Sequence, residues 1–308
     1  MKELDEFRIF YNKTIHPELL RMERLRIRLL RLLFFSSIML IGIISLEIYL
    51  QLLVITLFLS LPIIVLIFYL AYRIRRFRKT FKPNIMNLVL DFIDDGLNRG
   101  TLNYEQSNSI SKEIFSESGL FVSKIQFFKG EDYISGMVGE MGFELSELDV
   151  RQVSPVSNKL DPVFKGVFLH ATFSEETEGE IKIWPRDRFH HYSRAVKAFT
   201  WYDGINVDYE IMNDSFRSQF VTYALPDTHV IGILSDPMQE ALANYVYETG
   251  KELFMAFSDE EIYVAVTEEK DLLEPNILRS NLSFDLVREF FEDVHLLLRI
   301  IEDFDRTH

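Results

Sequence analysis

The chain has 308 residues, no cysteine and a formal net charge of −14 at pH 7. The absence of cysteine excludes disulfides, thiolate zinc sites and cysteine nucleophiles. The charge is unevenly distributed, because residues 1–82 carry a net +8 and residues 83–308 a net −22. The acidic part lacks the Lys/Arg clusters that bind phosphate backbones, so we expect no nucleic-acid partner.

Residues 1–31 are predicted to form an amphipathic helix on the cytosolic side. Pro17 suits an early helical position, where its missing N–H leaves no donor unpaired. The basic side chains of this segment recur every three or four residues and therefore share one helical face. This basic stripe consists of Arg21, Arg24, Arg28 and Arg31.

Residues 32–72 are predicted to form a transmembrane helical hairpin. These 41 residues contain one charged side chain, Glu47. A bilayer core requires about 20 apolar residues as helix, so the segment is long enough to cross twice. We expect spans over roughly 30–46 and 52–72, with the turn near Glu47.

The flanks of the hairpin predict its orientation. Basic residues precede the first span and fill the juxtamembrane segment 73–82, whereas the turn has none. By the positive-inside rule, a multi-pass protein with both termini cytoplasmic is expected. The predicted partners of the basic residues are the lipid bilayer and its anionic headgroups, with a protein-docking stripe as the alternative. These residues are Arg21, Arg24, Arg28, Arg31, Arg73, Arg75, Arg76, Arg78 and Lys79.

Residues 83–308 are predicted to form one acidic cytosolic α+β domain with an antiparallel, strongly curved sheet and flanking helices. Proline at position 83 predicts that the preceding helix ends or bends there. Asp236 is the expected cap of the helix that follows it. Helices are predicted over 84–97, 104–116, 189–199, 237–249 and 284–304. The strands predicted after residue 200 are 208–211, 220–225 and the hairpin 252–257 with 261–266.

The residues predict no catalytic, cofactor-binding or metal site. There is no phosphate-binding glycine loop or nucleophile elbow, and glycines 136, 139 and 142 are typical of a hairpin turn. No two histidines have the helical spacing of a zinc-protease motif. The acidic domain has one basic island, Arg186, Arg188 and Arg194, which either binds an anionic ligand or pairs with local carboxylates.

Several segments in order along the chain resemble a known family. They are FYNKTIHPEL at 10–19, GEDYISG at 130–136, FELSEL at 143–148, VFKGVF at 163–168 and KDLLEP at 270–275. Together with the hairpin, they resemble the bacterial membrane proteins of domain of unknown function family 3137. The resemblance implies a two-span protein of the bacterial inner membrane with a cytosolic domain. It carries over no catalytic residue, and it implies a shared complex with membrane proteins of the LemA type.

Three functional classes follow from these observations. The first is a non-enzymatic, membrane-anchored scaffold, sensor or binding domain, with a membrane-protein partner or a homo-oligomer as its assembly. The second is a membrane-surface enzyme with scattered residues around His170, His190, His191 and the basic island. The third is an oligomeric channel or transporter, which the uniformly apolar spans disfavour because a pore requires polar lining. The residues favour the first class.

Overall fold

The computed structural model describes residues 4–51, 53–95, 102–154, 157, 159–172, 179–258, 260–269 and 273–307, except for the side chains at 189–191 and 304–307. The chain divides into two compact units. Lys2–Phe92 and Leu273–Phe291 form one, here called the helical unit. Ile93–Leu272 and Glu292–His308 form the other, here called the sheet unit.

Long helices dominate the helical unit. They are α1 (Leu4–Phe10), a π-helical turn (Tyr11–Ile15), α2 (His16–Leu50) and α3 (Leu53–Asp94). The π turn ends two residues before Pro17 and contains Lys13, whose carbonyl the proline ring would clash with in a regular helix. The widened turn therefore accommodates the proline, and helical structure continues into the first apolar segment.

The predicted apolar hairpin is confirmed as two long helices. Gln51 ends α2 in the left-handed region (φ 52°), and its N–H donates to the carbonyl of Glu47 at 2.7 Å. Both helices are long and apolar enough to cross a membrane, and only 11% of each apolar window is buried. This exposure suggests membrane anchoring. The helix does not end at Pro83, since α3 continues to Asp94.

The helical unit also contains contacts between its two chain segments. Phe7 stacks on Phe291 with ring centroids 4.0 Å apart, and Phe92 packs on the same ring at 5.9 Å. The Tyr11 hydroxyl donates to the carbonyl of Leu282 at 3.3 Å. Residues distant in sequence thus form one aromatic core in this unit.

The sheet unit is built on one antiparallel sheet. Among the described residues it has nine strands in the order β1-β2-β3-β4-β9-β8-β5-β7-β6, and it does not close. The strands are β1 (Asn103–Glu105), β2 (Ile125–Val138), β3 (Met141–Val153), β4 (Leu160–Thr172), β5 (Ile181–Pro185), β6 (Ile205–Asn206), β7 (Phe220–Ala224), β8 (Leu253–Ser258) and β9 (Glu261–Thr267). The helices of this unit are α4 (Lys112–Glu117), α5 (Phe189–Trp201), α6 (Asp214–Gln219), α7 (Val230–Ile233) and α8 (Asp236–Thr249), with the part of α9 (Phe284–Thr307) that begins at Glu292. The predicted α+β class is confirmed.

Aromatic side chains form the centre of the sheet unit. Phe115 on α4 packs on Phe168 of β4 with centroids 5.1 Å apart. Trp184 on β5 is fully buried, and its indole N–H donates to the carbonyl of Leu120 at 3.2 Å. Burial of such large rings contributes most of the apolar area that stabilises a domain of this kind.

Three local predictions in this unit are wrong. Residues 104–116 form strand β1 and the short helix α4, which is capped by Ser111, rather than one helix. Residues 208–210 form a 3₁₀ turn instead of a strand. The cap of α8 is Ser235, whose side chain accepts from the N–H of Met238, and Asp236 occupies the first turn.

Candidate functional site

A cleft in the helical unit collects most of the predicted basic stripe. It has a volume of about 470 Å³ and lies between α2 and α3. Arg21, Arg24 and Arg28 line it because their spacing places them on one face of α2. Its other lining residues are Glu18, Met22, Leu25, Phe77, Thr80, Phe81 and Asn84. We call this the arginine cleft.

The three arginines of the cleft have few partners. Arg21 approaches Glu18 at 3.4 Å, and Arg24 donates to the carbonyl of Leu20 in its own helix at 3.3 Å. Arg28 makes no hydrogen bond or ion pair with any residue in the described part of the chain. The cleft therefore presents guanidinium groups whose hydrogen-bonding capacity is largely unused.

Arg26, on the same helix, has a different role. Its guanidinium is buried, donates to both carboxylate oxygens of Glu23 at 2.9 and 2.5 Å, and donates to the carbonyl of Ile277 at 2.6 Å. The hydrogen bond from Arg26 lowers the pKa of Glu23 below its usual value. Glu23 also accepts from the N–H of Asn281 at 3.5 Å. Through these two hydrogen bonds, the ion pair holds residues 277–281 against α2.

The other predicted lipid-facing residues lie outside the cleft lining. Arg31, Arg75, Arg76 and Lys79 are exposed, and Arg73 is half-buried. Arg78 lies 3.9 Å from Glu274. In sequence, these residues flank the apolar segments, where topology rules count basic side chains.

The basic island of the sheet unit is largely occupied by local partners. Arg186 donates to Asp208 at 2.6 Å and to the carbonyls of Arg217 and Phe220. Arg188 pairs with Glu252 at 2.7 Å. Arg194 is exposed and lines a separate cleft of about 390 Å³ with Ser123, Gln152 and Asp161.

His170 belongs to a polar network on neighbouring strands. Its Nδ1 lies 3.0 Å from Glu144, which also accepts from the Tyr133 hydroxyl at 2.9 Å. Its Nε2 lies 3.5 Å from Glu261, and its ring stacks on Tyr263 with centroids 5.1 Å apart. The His170 side chain is only 10% exposed, and its Nε2 atom is buried.

The contacts within this network shift the pKa values of Glu144 and Tyr133. The hydrogen bond with His170 lowers the pKa of Glu144. Burial and the hydrogen bond to Glu144 raise the pKa of Tyr133 to about 12. Sequence reasoning named His170 but missed its carboxylate partners, which adjoin it through strand register. The side chains of His190 and His191, both in α5, lie outside the described residues.

A second buried network crosses the sheet unit. Lys251 Nζ lies 2.7 Å from both carboxylate oxygens of Asp293 and 2.9 Å from Glu268. The Tyr245 hydroxyl donates to Asp293 at 2.6 Å. Burial alone would lower the pKa of Lys251, but the two carboxylates raise it overall. The network connects α8, the residue that follows β9, and α9.

Among the described residues, three carboxylates form a cluster suited to a hard cation. Glu131, Asp132 and Glu147 offer oxygen atoms within 4.8 Å of one another, a set of ligands that Mg²⁺ or Ca²⁺ accepts. Lys129 lies 3.0 Å from Glu131, and Tyr104 donates to Asp132 at 2.6 Å. These protein donors already compensate part of the negative charge.

An exposed aromatic surface lies at the β6 edge of the sheet. Trp201 and Met212 are 85% and 81% exposed, and three further side chains lie in the same stretch. We call these five residues the aromatic edge surface; the other three are Tyr202, Ile205 and Tyr209. Asp203 and Glu210 lie among them, and Glu210 raises the pKa of the Tyr209 hydroxyl through a hydrogen bond.

The fold therefore defines an α+β protein with an apolar two-helix hairpin near its N-terminal end. Residues 162–306 match the family described as "Protein of unknown function (DUF3137)", which supports membership of this chain in the DUF3137 family and confirms the resemblance seen in the sequence. No curated protein matches the chain.

Among solved structures, the chain has a distant similarity to the crystal structure of the mycobacterial trehalose monomycolate transport factor A, TtfA. The two share 11% identity over 63% of this chain and 88% of that one, with a TM-score of 0.28. A similarity of this size supports no conclusion about shared fold or function.

Proposed function

We propose that the protein is a membrane-anchored binding module of the bacterial inner membrane. The α2–α3 hairpin spans the bilayer with both termini cytoplasmic, and the sheet unit recruits a protein partner on that side. The observation that carries this proposal is the aromatic edge surface. Large exposed aromatic and Met side chains are enriched at protein interfaces and are costly to leave in water.

The charge around this surface indicates the chemistry of the partner. Asp203 and Glu210 lie among the aromatic side chains, and residues 83–308 carry a net −22. An anionic lipid leaflet would be repelled by this charge. A segment that combines Lys or Arg with apolar side chains complements both features, because the aromatic rings accept cations as well as apolar groups. A membrane protein with such a cytoplasmic segment is the partner that we propose.

The two alternative functions have weaker support. For an enzyme, the His170 side chain is mostly buried, and each of its ring nitrogens has a carboxylate beside it. For a channel, hydroxyls in the apolar helices bond to carbonyls of their own helix. Ser36 donates to Leu32 at 2.7 Å and Ser60 to Leu57 at 3.2 Å. These hydroxyls are therefore satisfied without facing water.

Photo-crosslinking in native membranes tests the partner proposal. A photoreactive phenylalanine at Tyr209 should give a discrete adduct, and Trp201→Ala should weaken the adduct by about tenfold or more, as expected for an interface hot spot. The control is the same probe at Tyr247, which is 85% exposed but outside the aromatic edge surface. Equal adducts from both positions, or none from 209, would contradict the proposal. An adduct of two copies would assign the surface to self-association instead.

Thiol labelling tests the orientation. The chain has no cysteine, so single cysteines can be introduced without background. Tyr49→Cys and Tyr247→Cys both replace side chains that are 85% exposed. In intact cells stripped of their outer membrane, an impermeant reagent should label position 49 and leave 247 unlabelled. Labelling at 247 would contradict the cytoplasmic location of the sheet unit.

A further inference from the structure

We propose that the cleft lined by Arg194 binds a small zwitterion, namely an α-amino acid or a dipeptide with an apolar side chain. We call it the mixed-charge cleft, and all of its lining residues belong to the sheet unit. The inference goes beyond the proposed function, because it adds a small-molecule site that shares no residue with the aromatic edge surface. The lining residues that carry it are Phe121, Ser123, Gln152, Asp161, Val163 and Arg194.

The fold brings these residues together where β3 ends and β4 begins. Gln152 of β3 is directly opposite Asp161 of β4, so their side chains lie on the same face of the sheet. The segment between α4 and β2 contributes Phe121 and Ser123, and α5 contributes Arg194. Four parts of the sheet unit that are separate in sequence therefore line one cleft.

The protein leaves the polar side chains of this cleft unused. Neither Arg194 nor Asp161 forms a hydrogen bond or an ion pair through its side chain with any residue in the described part of the chain. The same holds for the side-chain amide of Gln152, and Ser123 Oγ is buried without a hydrogen-bond partner among the described residues. Arg188 of the same basic island, by contrast, pairs with a carboxylate. Because an unsatisfied buried polar atom costs free energy, a ligand that supplies hydrogen bonds here is favoured.

The two charges of the cleft select a ligand that carries both signs. Arg194 and Asp161 do not pair with each other, so a ligand can lie between them. An anion would pair with Arg194 but would leave Asp161 unmatched, and a cation would do the reverse. An amino acid or dipeptide provides a carboxylate for the guanidinium and an ammonium for the carboxylate. The net charge of −22 on residues 83–308 also disfavours a ligand that is purely anionic.

The apolar lining and the volume of the cleft match the rest of such a ligand. The Phe121 ring is held in the aromatic core, with centroids 4.8 Å from Phe254 and 5.3 Å from Phe164. Val163 packs against the same core. An aliphatic ligand side chain can therefore contact a fixed apolar wall. The cleft volume of about 390 Å³ lies near the lower end of the range for small-molecule pockets, which suits a ligand of one or two amino-acid residues.

Matched ligands test the proposal on the full chain in detergent. Isothermal titration calorimetry compares leucine and leucyl-leucine with their amides, which lack the carboxylate, and with their N-acetyl derivatives, which lack the ammonium. At least one zwitterion should saturate, with an affinity at least about tenfold above that of either of its single-charge analogues. The one that binds more tightly identifies a free amino acid or a dipeptide as the ligand. Failure of both to saturate at millimolar concentration, or equal binding of an analogue, would overturn the proposal.

Variants of the cleft assign each charge to its partner. Arg194→Gln should weaken binding of the zwitterion at least about tenfold and remove its advantage over the amide, because the carboxylate loses its partner. Asp161→Asn should remove the advantage over the N-acetyl derivative. Arg188→Gln and Asp187→Asn remove exposed charges that do not line the cleft, so they should leave all affinities unchanged. Equal weakening by these controls, or an advantage over the amide that survives in Arg194→Gln, would show that the cleft is not the site.

Discussion

The helical unit and the sheet unit contain similar basic side chains in opposite surroundings. In the helical unit, Arg24 and Arg28 have no carboxylate partner in the described structure, while Arg26 between them is buried against Glu23. In the sheet unit, Arg186 and Arg188 are both paired with carboxylates. Carboxylates of the acidic unit thus pair with Arg186 and Arg188, whereas the basic unit leaves Arg24 and Arg28 without a carboxylate partner among the described residues. The difference indicates where an anionic ligand can bind.

The buried networks provide the strongest test of this comparison. We expect Asp293→Ala to destabilise the sheet unit by about 3–5 kcal/mol, because it leaves Lys251 buried with half of its compensating charge. Thermal and denaturant unfolding of the full chain in detergent measures the effect. Asp285→Ala on the same helix removes an exposed carboxylate and should cost less than about 0.5 kcal/mol. Replacing Lys251, Glu268 and Asp293 together by apolar residues leaves none of these charges buried without its partner and should restore part of the loss; no recovery would contradict the charge explanation.

The corresponding experiment in the helical unit is Arg26→Ala. It removes the buried partner of Glu23 and the donor to Ile277, with an expected cost of about 2–3 kcal/mol. Hydrogen exchange should show faster exchange in residues 277–282, whose attachment to α2 is lost. Arg31→Ala, an exposed arginine on the same helix, is the control and should leave that segment unchanged. Equal protection in both variants would show that apolar packing alone fastens the segment.

Features that depend on residues close together in the sequence were predicted correctly. The apolar hairpin, the glycine turn between β2 and β3, the β8–β9 hairpin and α9 all have local patterns, and all are present. The errors occur where long-range contacts override local preference, as at 104–116, where β1 pairs with β2. Register is equally non-local, so the approach of Glu144 and Glu261 to His170 could not be predicted. The spacing of Glu23 and Arg26 could be read from the sequence, but the burial of this ion pair depends on residues 277–281.

The His170 network should make stability pH-dependent on the acid side. The pKa of Glu144 is lowered in the folded protein, so its contribution is present above the unfolded value of 4.5 and is lost as the pH falls through the folded value. Glu144→Gln should therefore cost about 1.5 kcal/mol near neutral pH. The difference from wild type should narrow below about pH 4. Unfolding midpoints measured across this range check the prediction, and a constant difference would mean that the charge of Glu144 does not contribute.

The smallest expected effect is at the exposed end of the basic island. Arg188 pairs with Glu252 at 2.7 Å, but its side chain is 56% exposed. Water and salt screen such a pair, and holding two long side chains in one geometry costs entropy. Arg188→Gln should therefore change the free energy of unfolding by no more than about 0.5 kcal/mol, and raised salt should reduce even that difference. A loss above about 1.5 kcal/mol would place Arg188 with the buried pairs. It would also show that folding of the sheet unit depends on its few cations, just as folding of the helical unit is expected to depend on Arg26.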